Sequence, residues 1–184
     1  MRVAFVGTHC TGKTSLLEVF PKRYPQISCH IIDEKARELI KKGHELTING
    51  NTESYIAWIN EKMLSERESI NENYDVLISD RCMIDIISYA KIATKTSKSF
   101  VDNSFIQLCE NIFLSQKNFY DCYIYFPIEF PMEEDAVRPN DEQYRIAIGE
   151  MIKSNLEKYS LRHITIKGDL ETRCALLHNL VCNG

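Results

Sequence analysis

The strongest constraint on this chain is the octapeptide Gly7-Thr8-His9-Cys10-Thr11-Gly12-Lys13-Thr14, which fills every fixed position of the pattern G-x-x-x-x-G-K-[ST]. The apolar run 2–6 precedes it and the helix-patterned run 14–20 follows it. That is the strand-loop-helix context in which such a loop works, and it commits the opening of the chain to an α/β fold. Glycines allow the backbone to bend tightly and present its N–H groups to phosphate oxygens, while the helix start adds its positive dipole end. Lys13 is a compact cation with the reach to meet β- and γ-phosphates, and the Thr14 hydroxyl suits Mg²⁺. Gly7, Thr8, His9, Cys10, Thr11, Gly12, Lys13, Thr14 and Ser15 are therefore the expected triphosphate-binding set.

Beyond this loop, short apolar runs alternate with helical periodicity. Strands are expected at 29–32, 76–79, 123–126 and 163–166, and helices at 34–42, 52–70, 82–92, 105–120, 141–158 and 171–180. The first helix should stop by Pro21 and Pro25. Within 52–70, Ile56, Ile59, Met63 and Ile70 predict one apolar face. Asn140 with Gln143 resembles a capping box for the helix at 141–158. The pattern predicts one domain over 1–184, a five-stranded parallel sheet covered by helices on both faces, and a lid segment at 127–145 around the proline-rich stretch 127–139.

Composition narrows the function classes. With 22 basic and 26 acidic residues the net charge is −4, which disfavours an extended track for nucleic acid. The chain passes from Val6 straight into the glycine loop without an apolar leader, and no apolar run approaches a membrane span, so a cytoplasmic protein is expected. Seven cysteines at scattered spacings predict free thiols rather than a disulfide framework.

The remaining candidates cluster at strand ends, the edge where open α/β sheets bind ligands. Asp33 and Glu34 follow the second strand, with Arg37 one helical turn on. A carboxylate there can hold a substrate hydroxyl and take its proton, although both residues also suit a helix N-terminus. Asp80 and Arg81 follow the third strand, where Asp80 suits Mg²⁺, its bound water or a substrate hydroxyl and Arg81 suits phosphate. Asp85, a turn further on, is a weaker substrate contact. Arg138 and Arg145 flank the start of the helix at 141–158, where a closing lid would bring guanidinium groups to developing charge.

With these residues in place, the chain resembles the AAA-type P-loop family that includes ribosylnicotinamide kinase domains and thymidylate-kinase-like nucleotide kinases. The resemblance rests on GTHCTGKTSLLEVF, DEKAREL, LISDRCMIDIISYA and YDCYIYFPIEFPMEEDAVRP. It implies strand order 2-3-1-4-5, ATP with Mg²⁺, and transfer to a small nucleoside or nucleotide. By it, Glu34 and Arg37 fall on the substrate side, Asp80 and Arg81 form the strand-end pair, and Arg138 lies in the lid. A deoxynucleoside monophosphate is the expected acceptor, with Arg37 and Arg81 as cations for its phosphate. Alternatives are a nucleoside or ribosylnicotinamide acceptor, a hydroxyl of nucleic acid, or a nucleotide-dependent protein-binding module. A homodimer is a further expectation, with the helices at 52–70 and 105–120 as its surface.

Overall fold

The computed structural model describes residues 1–47, 49–95, 100–132 and 141–183. Five parallel strands form one sheet in the order β2-β3-β1-β4-β5: β1 (Arg2–Val6), β2 (Cys29–Ile32), β3 (Val76–Asp80), β4 (Cys122–Tyr125) and β5 (His163–Thr165). Helices α1 (Lys13–Arg23), α2 (Ala36–Lys41), α3 (Thr52–Glu68), α4 (Met83–Ala93), α5 (Asn103–Ser115), α6 (Glu142–Lys158) and α7 (Leu170–Asn183) connect and cover them. Such a sheet buries both faces, and the side-chain alternation of β1 shows how. Val3 and Phe5 pack with Leu16 and Phe20 of α1 and Leu177 of α7. Ala4 and Val6 face the opposite way, onto Ile84 and Ile87 of α4 and Ile148 of α6.

This topology brings three strand ends together. In the register, Phe5 lies beside Asp80 and Ile32 beside Ser79. The glycine loop after β1, the 33–35 segment after β2 and the Asp80-Arg81 turn after β3 therefore meet at one edge.

Several local expectations change. Helix α1 continues past Pro21 to Arg23, because a proline in the last turn removes only one helical hydrogen bond. Helix α2 begins at Ala36, so neither Asp33 nor Glu34 caps it. The α6 cap is Asp141, whose side chain accepts the Tyr144 amide at 3.0 Å; Asn140 lies outside the described residues. The face predicted for α3 is largely turned outward: Ile56, Met63 and Ile70 are exposed. Ile59 is buried as expected, and beside it the buried face carries Tyr55, Trp58, Lys62 and Glu66. Two large aromatic rings outweigh the scattered aliphatics there, and a buried polar cluster completes the face. All seven cysteines are free thiols.

Candidate functional site

A cavity of about 520 Å³ opens at the shared strand edge. The loop from His9 to Ser15 forms its floor, Glu34, Arg37, Asp80 and Arg81 one wall, and Phe130, Pro131, Asp169, Leu170 and Arg173 the other. The loop geometry requires its glycines. Gly7 has φ +152°, and a Cβ there would stand 2.7 Å from the Phe126 carbonyl oxygen. Lys13 Nζ donates to the carbonyls of Gly7 at 2.9 Å and Thr8 at 2.5 Å and to Thr11 Oγ1 at 3.1 Å. Thr14 and Ser15 stand exposed at the first turn of α1.

Arg81 is the hub of the opposite wall. Its backbone has φ +66°, uncommon for a non-glycine residue. The turn is held by the Arg81 amide donating to Phe5 O at 2.9 Å and by Ser79 Oγ donating to Arg81 O at 2.8 Å. The guanidinium is almost wholly buried: Nε lies 3.0 Å from Glu34 Oε1, and Nη1 lies 3.2 Å from Asp85 Oδ1 and donates to Gly7 O at 2.8 Å. Its carbon sits 5.3 Å from the Tyr89 ring centroid. Burial disfavours the charge, but Glu34, Tyr89, Asp85 and Asp80 outweigh it and hold the Arg81 pKa well above the ordinary value. Burial, with Glu34 alongside, holds the Asp80 carboxyl above the usual carboxylate range against the pull of Lys13, Arg81 and Lys62. Asp80 is 5% exposed and its Oδ1 has no hydrogen-bond partner, an orphaned oxygen of the kind a cation or its water satisfies.

The other candidates separate. Asp33 is exposed, and Arg37 is exposed while lining the cavity. Asp85 is fully enclosed and accepts the Gly7 amide at 3.1 Å and the Cys82 amide at 3.2 Å, so it faces the loop backbone rather than a substrate. Arg145 is also fully buried. It donates to the carbonyls of His9 at 3.2 Å, Cys10 at 3.0 Å and Phe130 at 2.8 Å, tying the glycine loop to the first part of the expected lid segment. Arg138 and the middle of the expected lid, residues 133–140, lie outside the described residues.

The match to the AAA domain family covers residues 2–173. The chain belongs to that family. No curated protein matches this AAA domain by sequence. In fold it is similar to deoxyadenosine kinase from M. mycoides, described with dCMP and dCDP bound, at TM-score 0.72, 14% identity and 100% coverage of both chains. It is also similar to the NadR protein in complex with NR, at TM-score 0.74 and 18% identity, covering 99% of this chain and 50% of that one. Thymidylate kinase from Candida albicans aligns at TM-score 0.69 and 13% identity, over 99% and 91% of the two chains. The fold of this AAA domain is thus that of the P-loop nucleoside and nucleotide kinases. Among its described residues no helix is long and apolar enough to cross a membrane.

Sequence reasoning missed Arg173 of this AAA domain. Its Nη1 donates to Thr11 O at 2.6 Å, its Nε to Gly168 O at 2.8 Å, and its Nη2 to Glu129 Oε2 at 2.7 Å. The guanidinium lies 4.9 Å from the Phe130 ring centroid and 5.5 Å from that of Phe126. No local pattern distinguishes it from a surface arginine of a terminal helix. Lys62 was missed because it sits in an amphipathic helix where a lysine ordinarily faces water.

Proposed function

We propose that this AAA domain transfers the γ-phosphoryl group of ATP to a hydroxyl of a small nucleoside. The observation that carries the acceptor class is the state of Arg81, whose guanidinium is already shared between Glu34 at 3.0 Å and Asp85 at 3.2 Å. A second phosphate would compete with two carboxylates for that cation. A neutral hydroxyl meets no such competition, and Glu34, fixed by Arg81 at the cavity wall, suits the role of accepting its proton. The triphosphate is read by the loop amides and Lys13, which exchanges its carbonyl partners for β- and γ-oxygens. The acceptor oxygen bonds to the γ-phosphorus as the bond to the β–γ bridging oxygen breaks, releasing ADP, and the hydroxyl proton passes to Glu34. Thr14 and Asp80 are the residues suited to hold Mg²⁺, which when bound neutralises charge on the β- and γ-phosphates.

A second cavity of about 20 Å³ continues from the first, sharing His9, Glu34 and Arg81, and is lined by Ile40, Leu46, Trp58, Tyr89 and Tyr144. The rings of Trp58, Tyr89 and Tyr144, which meet edge to face, and the unpartnered Trp58 Nε1 and Tyr144 Oη suit a nucleobase. At that volume it admits a base only after α2 and the turn following it move outward, an opening that closure over the bound substrate would then reverse. The exposed Arg37 favours a monophosphate as the second reading. A panel of nucleosides and nucleoside monophosphates incubated with γ-labelled ATP decides between them. Label on unphosphorylated nucleosides is expected; label confined to monophosphates overturns the acceptor class, and no labelled product overturns the kinase reading.

A further inference from the structure

Beneath the Asp80-Arg81 turn lies a charged group that the proposed chemistry does not use. Lys62 of α3 is fully buried, and its ammonium donates to Ser79 Oγ at 3.0 Å and to the Asp80 carbonyl at 3.0 Å. Ser79 Oγ in turn donates to the Arg81 carbonyl at 2.8 Å. One ammonium therefore supports three consecutive residues of the turn, including the peptide that carries Arg81 into its left-handed conformation at φ +66°. One turn of α3 further on, Glu66 accepts the Tyr120 hydroxyl at 2.6 Å, which fixes the helix from beneath.

We infer that Lys62 is a positioning residue: through Ser79 and the Asp80 carbonyl it aims the Asp80 carboxylate at the nucleotide-bound cation and keeps Arg81 against Glu34. The inference rests on the phosphotransfer reading for its consequence in turnover, but its structural claim is separate. An apolar side chain at position 62 leaves the Ser79 hydroxyl and the Asp80 carbonyl buried with fewer partners, and the strained turn has then lost a brace that a hydrogen-bond donor alone supplies. Lys62→Met also removes a cation that faces the Asp80 carboxylate, so Ser79→Ala, which cuts the same network without removing a charge, is the variant that reports orientation. Groups that orient a cation-binding side chain typically contribute about 10- to 100-fold to affinity or activity.

The test uses Lys62→Met, Ser79→Ala and the double variant of the full chain, with a fluorescent ATP analogue titrated with and without Mg²⁺ and single-turnover transfer measured in parallel. Lys62→Met is expected to bind the analogue normally without the cation, to lose most of the gain that Mg²⁺ confers on the wild-type chain, and to slow transfer by about 10- to 100-fold. Ser79→Ala should shift both readouts the same way but less, and the double variant should be no worse than Lys62→Met, because both act through one network. A folded Lys62→Met with the full Mg²⁺ gain, additive losses in the double variant, or a wild-type chain with no Mg²⁺ gain each overturns the proposal. If Lys62→Met does not fold, Ser79→Ala decides alone, an unchanged Mg²⁺ gain overturning the proposal. A wild-type chain that shows the Mg²⁺ gain but labels no acceptor refutes the kinase reading while the binding comparison still judges Lys62.

Discussion

Asp85 Oδ1 accepts the Gly7 amide at 3.1 Å, joining the first residue of the glycine loop to the first turn of α4. The same oxygen lies 3.2 Å from Arg81 Nη1. Loop entry and strand-end turn thus share one buried carboxylate, and the wall of the cavity depends on a residue that does not line it. Asp85→Ala leaves the guanidinium with one carboxylate fewer and two amides without their acceptor. It should destabilise the fold by about 3–5 kcal/mol, the range for breaking a buried pair from one side. Denaturant unfolding of the variant checks this, and a loss below about 1 kcal/mol would contradict the clamp.

Gly12 is required twice over. Its φ is +83°, and a Cβ there would meet Arg173 Nη1 at 2.9 Å. Gly12→Ala should therefore abolish measurable ATP binding, whereas Arg173→Ala, which leaves Thr11 O without its donor, should weaken binding by about tenfold. The double variant should remain non-binding, since removing the clash does not relieve the left-handed backbone. Recovery of binding in the double variant would show that contact alone, without backbone conformation, fixes this glycine.

Arg145 and Arg138 should respond oppositely. Arg145→Ala removes the donors from the His9, Cys10 and Phe130 carbonyls, so ATP affinity and thermal stability should fall together. Arg138→Ala, at the expected lid arginine, should leave ATP affinity near wild type and slow transfer by roughly 10³-fold or more. Paired measurements of affinity, melting temperature and single-turnover rate separate the two. Normal affinity and stability in Arg145→Ala, with transfer alone impaired, would return that residue to the lid role.

Glu110 gives a pH-dependent handle on the helical layer. Its Oε1 lies 2.7 Å from Lys91 Nζ of α4 and 2.9 Å from Lys158 Nζ of α6. Burial favours the neutral acid, but hydrogen bonds from Lys158 and Lys91 prevail and hold the pKa at about 2, below the ordinary 4.5. Because the folded value is depressed, the contribution is fully present above pH 4.5 and is lost as pH falls toward 2. Glu110→Gln should destabilise the domain by about 1 kcal/mol at neutral pH, a figure reduced for the partly exposed pair. The gap between wild type and variant in urea midpoints should close across that window. A gap that persists to the acid end would mean that packing, rather than charge, sets the effect of Glu110→Gln.

The sequence by itself determined what depends on neighbours in the chain. The glycine loop is contiguous because its amides must converge on one phosphate group, and the alternation of strands and helices follows from local periodicity. Glu34, Asp80 and Arg81 were legible because a strand end is a local landmark and the parallel fold gathers such ends at one edge. The strand order was legible only through resemblance, since pairing joins segments as distant as Arg2 and Leu77. Tertiary structure alone decided which charged residues are buried and what they hold. Arg145 and Arg173 reach the glycine loop from α6 and α7, and Lys62 reaches the β3 turn from α3. A basic residue on an amphipathic helix reads the same whether it faces water or three backbone carbonyls. The difference is made by elements packed against it from remote parts of the chain, whose partners must replace the hydration that burial removes.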